Sequence, residues 1–365
     1  MTALRGAWRS PWVQATMLVA LVALALVVFW LRGPDWGAVW NAFRFVVWSW
    51  IVLALVLNVA STFFRALSWS LTIGQALPER HHPRLIHVLS AFGVGLFANA
   101  VVPGRLGELA RVATLRRHLP DAPPGTTAAL VGTVFAHRLF DLVPATILVV
   151  WVLLTAEVPH WAVVGLWIAV LGGATLFTVA WLSARRGHRP VMREGVGKIR
   201  QLLLMARQGL AVLKEPAPLA GAIVLQCAGW LLQLLAVFAA MQAFGIDAGL
   251  PAAGLVLVLM NVATILPLWP GNVGLVQAAV AVPLRNYGVP YATGFAYGLA
   301  LQALEIACGV GLGLLALMRE GISFAMLRRL EDDEQSSSEN AVEEAEEMVE
   351  ELEAEQAREG APVPR

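Results

Sequence analysis

Long apolar runs organise this chain. Stretches near the roughly 20 residues needed to cross a hydrocarbon core occur at residues 12–31, 46–74, 126–153, 161–182, 218–242 and 291–318. They predict six full transmembrane helices. Arg5 and Arg9 precede the first run, as they would in a signal peptide. Its apolar run nevertheless ends in Phe29-Trp30-Leu31-Arg32-Gly33-Pro34, without a small-residue cleavage site, so it reads as a retained anchor.

Two further apolar stretches do not read as simple crossings. Residues 86–102 are loosened by Gly93 and Gly95 and end in Pro103-Gly104, followed by an amphipathic helix whose arginines must return to the cytoplasm. Residues 250–284 have the same build, broken by Pro267 and by Pro270-Gly271. Both are expected to be re-entrant hairpins entering from opposite faces; a kinked helix at a bundle edge is the alternative for each. Their tips read Pro103-Gly104-Arg105-Leu106-Gly107-Glu108-Leu109 and Pro270-Gly271-Asn272-Val273-Gly274-Leu275-Val276, sharing P-G-x-[L/V]-G-x-[L/V]. Span, hairpin and span recur in opposite order in the two halves, the pattern of an inverted-topology repeat framing a midplane site. Proline and glycine free backbone amides and carbonyls there, which is tolerable only where protein or a polar ligand satisfies them. The fold class is thus all-α and polytopic.

Composition agrees, with 58% hydrophobic and 14% charged residues over 365 and a mean hydropathy of +0.68. The formal charge of +1 hides an asymmetry: residues 1–330 carry a formal +13, and 331–365 carry −12. A basic body favours anionic lipid headgroups and the bilayer surface; no nucleic-acid motif accompanies it. Basic residues also set orientation. With the N-terminus in the cytoplasm, 19 arginines and lysines fall inside and three (Arg32, Arg44, Arg285) outside. Both termini are then cytoplasmic, and the chain belongs to a cell membrane. Residues 1–330 form one transmembrane domain with halves at about 12–182 and 217–320 and a basic linker at 183–216. The acidic tail, 331–365, is expected to be disordered or partly helical. Cys227 and Cys308 lie in apolar stretches, which excludes a disulfide framework and a zinc site.

Charged residues at membrane depth are candidates for function because each costs on the order of 2.5–3.5 kcal/mol to insert. Arg65 stands late in the second span, where it either snorkels or meets a lipid phosphate. Arg105 and Glu108, with Arg111 adjoining, open the helix after the first Pro-Gly. They are an intrahelical pair or, with free helix amides, an anion site. His137, Arg138 and Asp141 share one face of the third crossing, as a buried ion pair or as titratable machinery for proton coupling. Glu305 lies mid-way along the last span with no basic residue within one turn, so it needs a partner from another helix or a proton. Asn261 and Gln277 flank the second break and are expected to satisfy freed backbone groups.

Three ordered segments, residues 97–111, His137-Arg138-Leu139-Phe140-Asp141, and residues 267–274, resemble the lysylphosphatidylglycerol synthase transmembrane family of flippase-like proteins over about residues 12–320. The resemblance implies a lipid-translocating core. The roughly 45 hydrophilic residues at the end are far short of the transferase domain that well-known members carry, so synthase activity is not carried over. Where similar proteins often have an acidic residue, this chain has His137 and Gln277, and roles of those carboxylates are not transferred.

The expected function is non-enzymatic translocation of an anionic lipid, a phospholipid or a polyprenyl-phosphate-linked glycan. Arg65, Arg105, Arg111 and Arg138 would serve the phosphate, with Glu108 and Asp141 orienting them; His137, Asp141 and Glu305 are the candidates for proton coupling. No cofactor or metal is implied. No G-x-x-x-x-G-K-[ST] motif occurs, so transport runs on a gradient or downhill. Two rivals remain: a scaffold acting through the acidic tail, and an intramembrane lipid-phosphate enzyme, whose clustered acids or metal ligands are not seen in the sequence.

Overall fold

The computed structural model describes residues 33–101, 107–123, 125–185, 215–265 and 272–321. The expected first span, the tip residues Pro103, Gly104, Arg105, Pro270 and Gly271, most of the linker and the tail lie outside the described residues. Every α-helix or 3₁₀-helix follows an apolar run or its flank, and no strand occurs among the described residues. The helices are α1 (Trp36–Arg44), α2 (Trp48–Ala76), α3 (Leu85–Val101), α4 (Gly107–Arg117), α5 (Thr126–Thr155), α6 (His160–Arg185), α7 (Pro216–Ala243), α8 (Gly249–Ile265), α9 (Leu275–Leu284) and α10 (Tyr291–Glu320).

Among the described residues, five helices are long and apolar enough to cross a membrane: α2, α5, α6, α7 and α10. They coincide with five of the six expected spans. Only 22–39% of their apolar windows is buried within the protein; side chains such as Leu154, Ile168 and Val224 face outward. That outward apolar surface suits lipid, because hydrocarbon tails replace the core contacts that a soluble helix would need.

The short helices behave differently. α3 and α8 have 17 residues each, about 25 Å of helix against a hydrocarbon core of about 30 Å. Their side chains are largely enclosed by protein. In α3 the buried positions run through Val88, Ala91, Phe92, Val94, Phe97 and Ala98; in α8 they include Ala252, Ala253, Leu255, Val256 and Leu257.

Contacts divide the chain into two compact units. The first comprises Met1–Phe64, Leu139–Trp181 and Val224–Ile306, and the second Arg65–Arg138, Leu182–Ile223 and Ala307–Arg365. In the first unit α8 is the centre, packed by Leu148, Val149 and Val152 of α5, Val237 and Met241 of α7, and Tyr297 of α10. Polar ties run between helices: the Ser61 hydroxyl donates to the Gly229 carbonyl (2.7 Å), and the Tyr297 hydroxyl to the Val237 carbonyl (2.8 Å).

In the second unit Trp69 and Ile73 of α2, Phe92 of α3, Leu115 of α4 and Leu130 of α5 share one core. α3 and α4 run antiparallel: Gly107, which opens α4, meets Asn99 and Gly95, while Arg111 one turn later meets Gly95. The backbones nearly touch. A methyl at Gly107 would lie 2.1 Å from the Gly95 carbonyl oxygen, so no larger residue fits this crossing. Beyond α4, the His118 ring stacks on His87 (3.9 Å, 6°), and its Nε2 lies 2.6 Å from Glu320 Oε2 at the end of α10.

Candidate functional site

The first break is held together by a carboxamide and opens onto a charged cluster. The Gly107 amide, freed at the start of α4, donates to Asn99 Oδ1 (2.9 Å). One residue later Glu108 stands in the first turn of α4, where a carboxylate complements the positive end of the helix. Its carboxylate bridges two arginines. Arg111 Nη2 lies 2.5 Å from Glu108 Oε2, and Arg138 Nη2 of α5 pairs with Glu108 Oε1.

The two arginines have different surroundings. Arg111 is buried, its side chain 5% exposed. Its guanidinium lies 4.7 Å from the centroid of Trp69 and 5.4 Å from that of Phe92, so two aromatic faces replace hydration around the cation. Trp69 is itself fixed, since its Nε1 donates to Thr133 Oγ1 (3.0 Å). Arg138, by contrast, has a side chain 54% exposed. A guanidinium carries five N–H donors in a planar fork, a geometry that suits an oxyanion. Two arginines around one carboxylate give the cluster a net positive charge.

His137, beside Arg138, is buried with its ring edge-on to Phe92 (6.0 Å). Arg65 is half-buried one turn before Trp69 on α2. Asp141 belongs to the first unit, where it accepts hydrogen bonds from Trp230 Nε1 (2.8 Å) and Gln226 Nε2 of α7. It therefore ties α5 to α7. Glu305 lines a small pocket of the first unit with Asn58 and Gln233.

At the second break Asn272 has a positive φ of 47°, a conformation that asparagine tolerates better than most side chains. Its Nδ2 donates to the Ala263 carbonyl in the last turn of α8 (3.0 Å). Gly274, at φ 92°, gives its amide to Gln277 Oε1 (2.6 Å), and Gln277 Nε2 donates to Gln302 Oε1 (2.6 Å). Gln277 thus satisfies a freed backbone group, as the sequence suggests, whereas Asn261 donates to Leu257 one turn back within α8. Sequence reasoning misses Trp69, Phe92, Asn99, Gln226 and Trp230, because an aromatic or amide in an apolar helix carries no mark of the helix it will face.

The family described as the lysylphosphatidylglycerol synthase TM region matches residues 17–313, spanning both breaks and the charged cluster. The chain belongs to this family. Membership in the lysylphosphatidylglycerol synthase TM family and the apolar helices together make it a multi-pass membrane protein. It is also similar to a UPF0104 membrane protein of Methanothermobacter thermautotrophicus, 25% identical over 291 residues, which cover 75% of this chain and 83% of that protein. No solved structure matches. The family match ends before the acidic tail that begins at Glu331.

Proposed function

We propose that this protein moves an anionic lipid, a phospholipid or a polyprenyl-phosphate-linked glycan, across the cell membrane without catalysing a covalent step. The observation that carries this reading is the Glu108 bridge between a buried arginine and a half-exposed one. Arg138 is the group that meets the phosphate. Glu108 occupies part of its guanidinium when no lipid is present and so keeps the fork oriented; an arriving phosphate competes for the same donors. Arg111, held against the rings of Trp69 and Phe92, keeps Glu108 in place and acts as a positioning residue rather than a lipid contact. Arg105 stands three residues before Glu108 in the sequence and is the further arginine expected to serve the phosphate.

The topology in this reading has six crossings, both termini in the cytoplasm, and α3/α4 and α8/α9 as re-entrant pairs. The short, enclosed α3 and α8 support re-entrance, as do the carboxamides that close both breaks.

Native mass spectrometry of the purified protein tests the site. Arg138→Ala is expected to lose most co-purifying anionic lipid while remaining monodisperse, and Arg138→Lys to restore it poorly, because a lysine lacks the two-pronged geometry. A chain ending at residue 330 should keep its lipid. Undiminished lipid in Arg138→Ala would overturn the assignment.

A further inference from the structure

At one end of the second unit, four segments bring basic side chains to a common rim. The short 3₁₀ turn Glu79–His81, the start of α3, the end of α4 with the residues after it, and the end of α10 meet there. His81 Nε2 lies 3.2 Å from the Asp121 carbonyl, His87 stacks on His118, and His118 holds Glu320. Arg80, Arg84, Arg117 and Arg319 stand exposed in these segments. We infer that the rim is the docking surface for the acidic tail of this same chain, residues 331–365.

The charges are complementary. Among the described residues, the ion pairs of this unit join Glu108 to Arg111 and Arg138, and Glu320 to His118; none uses a rim arginine. Glu79 and Asp121 are exposed carboxylates in the same segments. Against them Arg116 adds a further, half-buried guanidinium, which donates to the Leu119 carbonyl. The rim is therefore basic, with too little acid of its own to balance it. The tail has the opposite excess, a formal −12, and sets its carboxylates in pairs at Glu343-Glu344, Glu346-Glu347 and Glu350-Glu351. One exposed ion pair contributes little, but several arginine forks meeting closely spaced carboxylates add up.

The tail is also tethered beside this surface. The contact between His118 and Glu320 sets the point from which the chain leaves α10, and that point lies within the rim. Gly321 follows at a φ of 62°, the left-handed conformation that ends a helix and redirects the chain. Ten residues separate Gly321 from Glu331, a reach of at most about 35 Å. The acidic run is thus kept near the arginines at an effective concentration on the order of millimolar. Anionic headgroups compete for the same guanidinium groups but lack the tether. Rim and tail lie at the same end of α10 whichever face of the membrane that end occupies. A docked tail would screen this end from headgroups and from other acidic partners.

The test uses the full-length protein in a neutral detergent, with phenylglyoxal, which modifies accessible arginines, as the probe and peptide mass mapping as the readout. At low salt Arg80, Arg84, Arg117 and Arg319 are expected to react roughly threefold faster when Glu343, Glu344, Glu346, Glu347, Glu350 and Glu351 are all replaced by glutamine. The wild type should show the same acceleration at about 1 M NaCl, where the screening length falls to about 3 Å. Arg285, exposed in the first unit, should not change. Conversely, Arg84→Gln combined with Arg117→Gln should speed cleavage of the tail by a glutamate-specific protease by roughly threefold, and covers the case in which the tail variant is poorly produced. Equal rim reactivity in the wild type and the tail variant would overturn the inference and give the surface to lipid headgroups. Acceleration confined to linker arginines such as Arg189 and Arg193, or tail cleavage indifferent to the rim substitutions, would overturn it as well. None of these readouts measures lipid movement, so their failure leaves the phosphate site at Arg138 standing, and the reverse also holds.

Discussion

The two broken helix pairs use one backbone device with opposite chemistry. At α3/α4 the break opens onto Glu108 and Arg111, and the helices cross with Gly95 and Gly107 nearly in backbone contact. At α8/α9 the corresponding positions are neutral: Asn272 closes the end of α8, and Gln277 closes the start of α9. Both breaks satisfy their freed backbone groups with carboxamides, Asn99 at the first and Asn272 and Gln277 at the second. What differs is charge, and with it the dependence on surroundings. The first pair needs two aromatic rings to hold a buried guanidinium, whereas the second needs hydrogen-bond partners such as Gln302. A shared geometry thus carries a charged cluster at one break and neutral closure at the other.

The contrast is broken most severely at the crossings. Gly107→Val drives a side chain into the Gly95 carbonyl and Asn99, and is expected to yield no monodisperse protein on size-exclusion chromatography. Gly274→Ala imposes a disfavoured φ of 92° and should fold with a loss of about 1–3 kcal/mol. Next come the caps and charges. Glu108→Gln leaves Arg111 buried without its carboxylate and should cost about 3–5 kcal/mol. Gln277→Leu, which removes an amide cap and one side-chain bond, should cost about 1–3 kcal/mol. Denaturation of the two variants side by side measures the difference; equal losses would erase the distinction drawn between the pairs.

Asp141→Asn weakens the acceptor shared by Trp230 and Gln226 and is expected to cost about 1.5–3 kcal/mol, with lipid co-purification retained. Arg138→Ala should do the opposite, changing stability by no more than about 1 kcal/mol while lipid is lost.

The smallest effect is a pH dependence near the start of α3. Burial first, and His118 second, hold the His87 imidazole below its ordinary range, with Arg84 and Arg319 acting in the same direction and Glu320 against them. As pH falls through the ordinary histidine value of about 6.5, the unfolded chain takes up this proton before the folded one does. Stability should therefore decline from about pH 6.5 downward until folded His87 also protonates. His87→Leu should flatten that decline in a Tm series between pH 7.5 and pH 5; an unaltered slope would remove His87 as its source.

Several features were legible in the sequence because hydrocarbon imposes them one helix at a time. Five long helices, the shortness of α3 and α8, the interruptions after Val101 and Ile265, and the closure of a freed amide by Gln277 all follow from local rules. An apolar run must be about 20 residues to cross, and a broken backbone must find donors and acceptors nearby. The same rules singled out Glu108, Arg138, Asp141 and Glu305 as costly residues that require partners.

Which partners they have was decided only by tertiary packing. Nothing in the order of residues places Arg111 against Trp69 and Phe92, gives Glu108 to Arg138 thirty residues away, or assigns Asp141 to Trp230 and Gln226. Nor does it bring Asn58, Gln233 and Glu305, from three helices, to the lining of one pocket. A helix in lipid sets its own length and turns, but its rotation is chosen by the neighbours whose small residues let it approach. That rotation decides whether an arginine is buried, as Arg111 is, or half exposed, as Arg138 is.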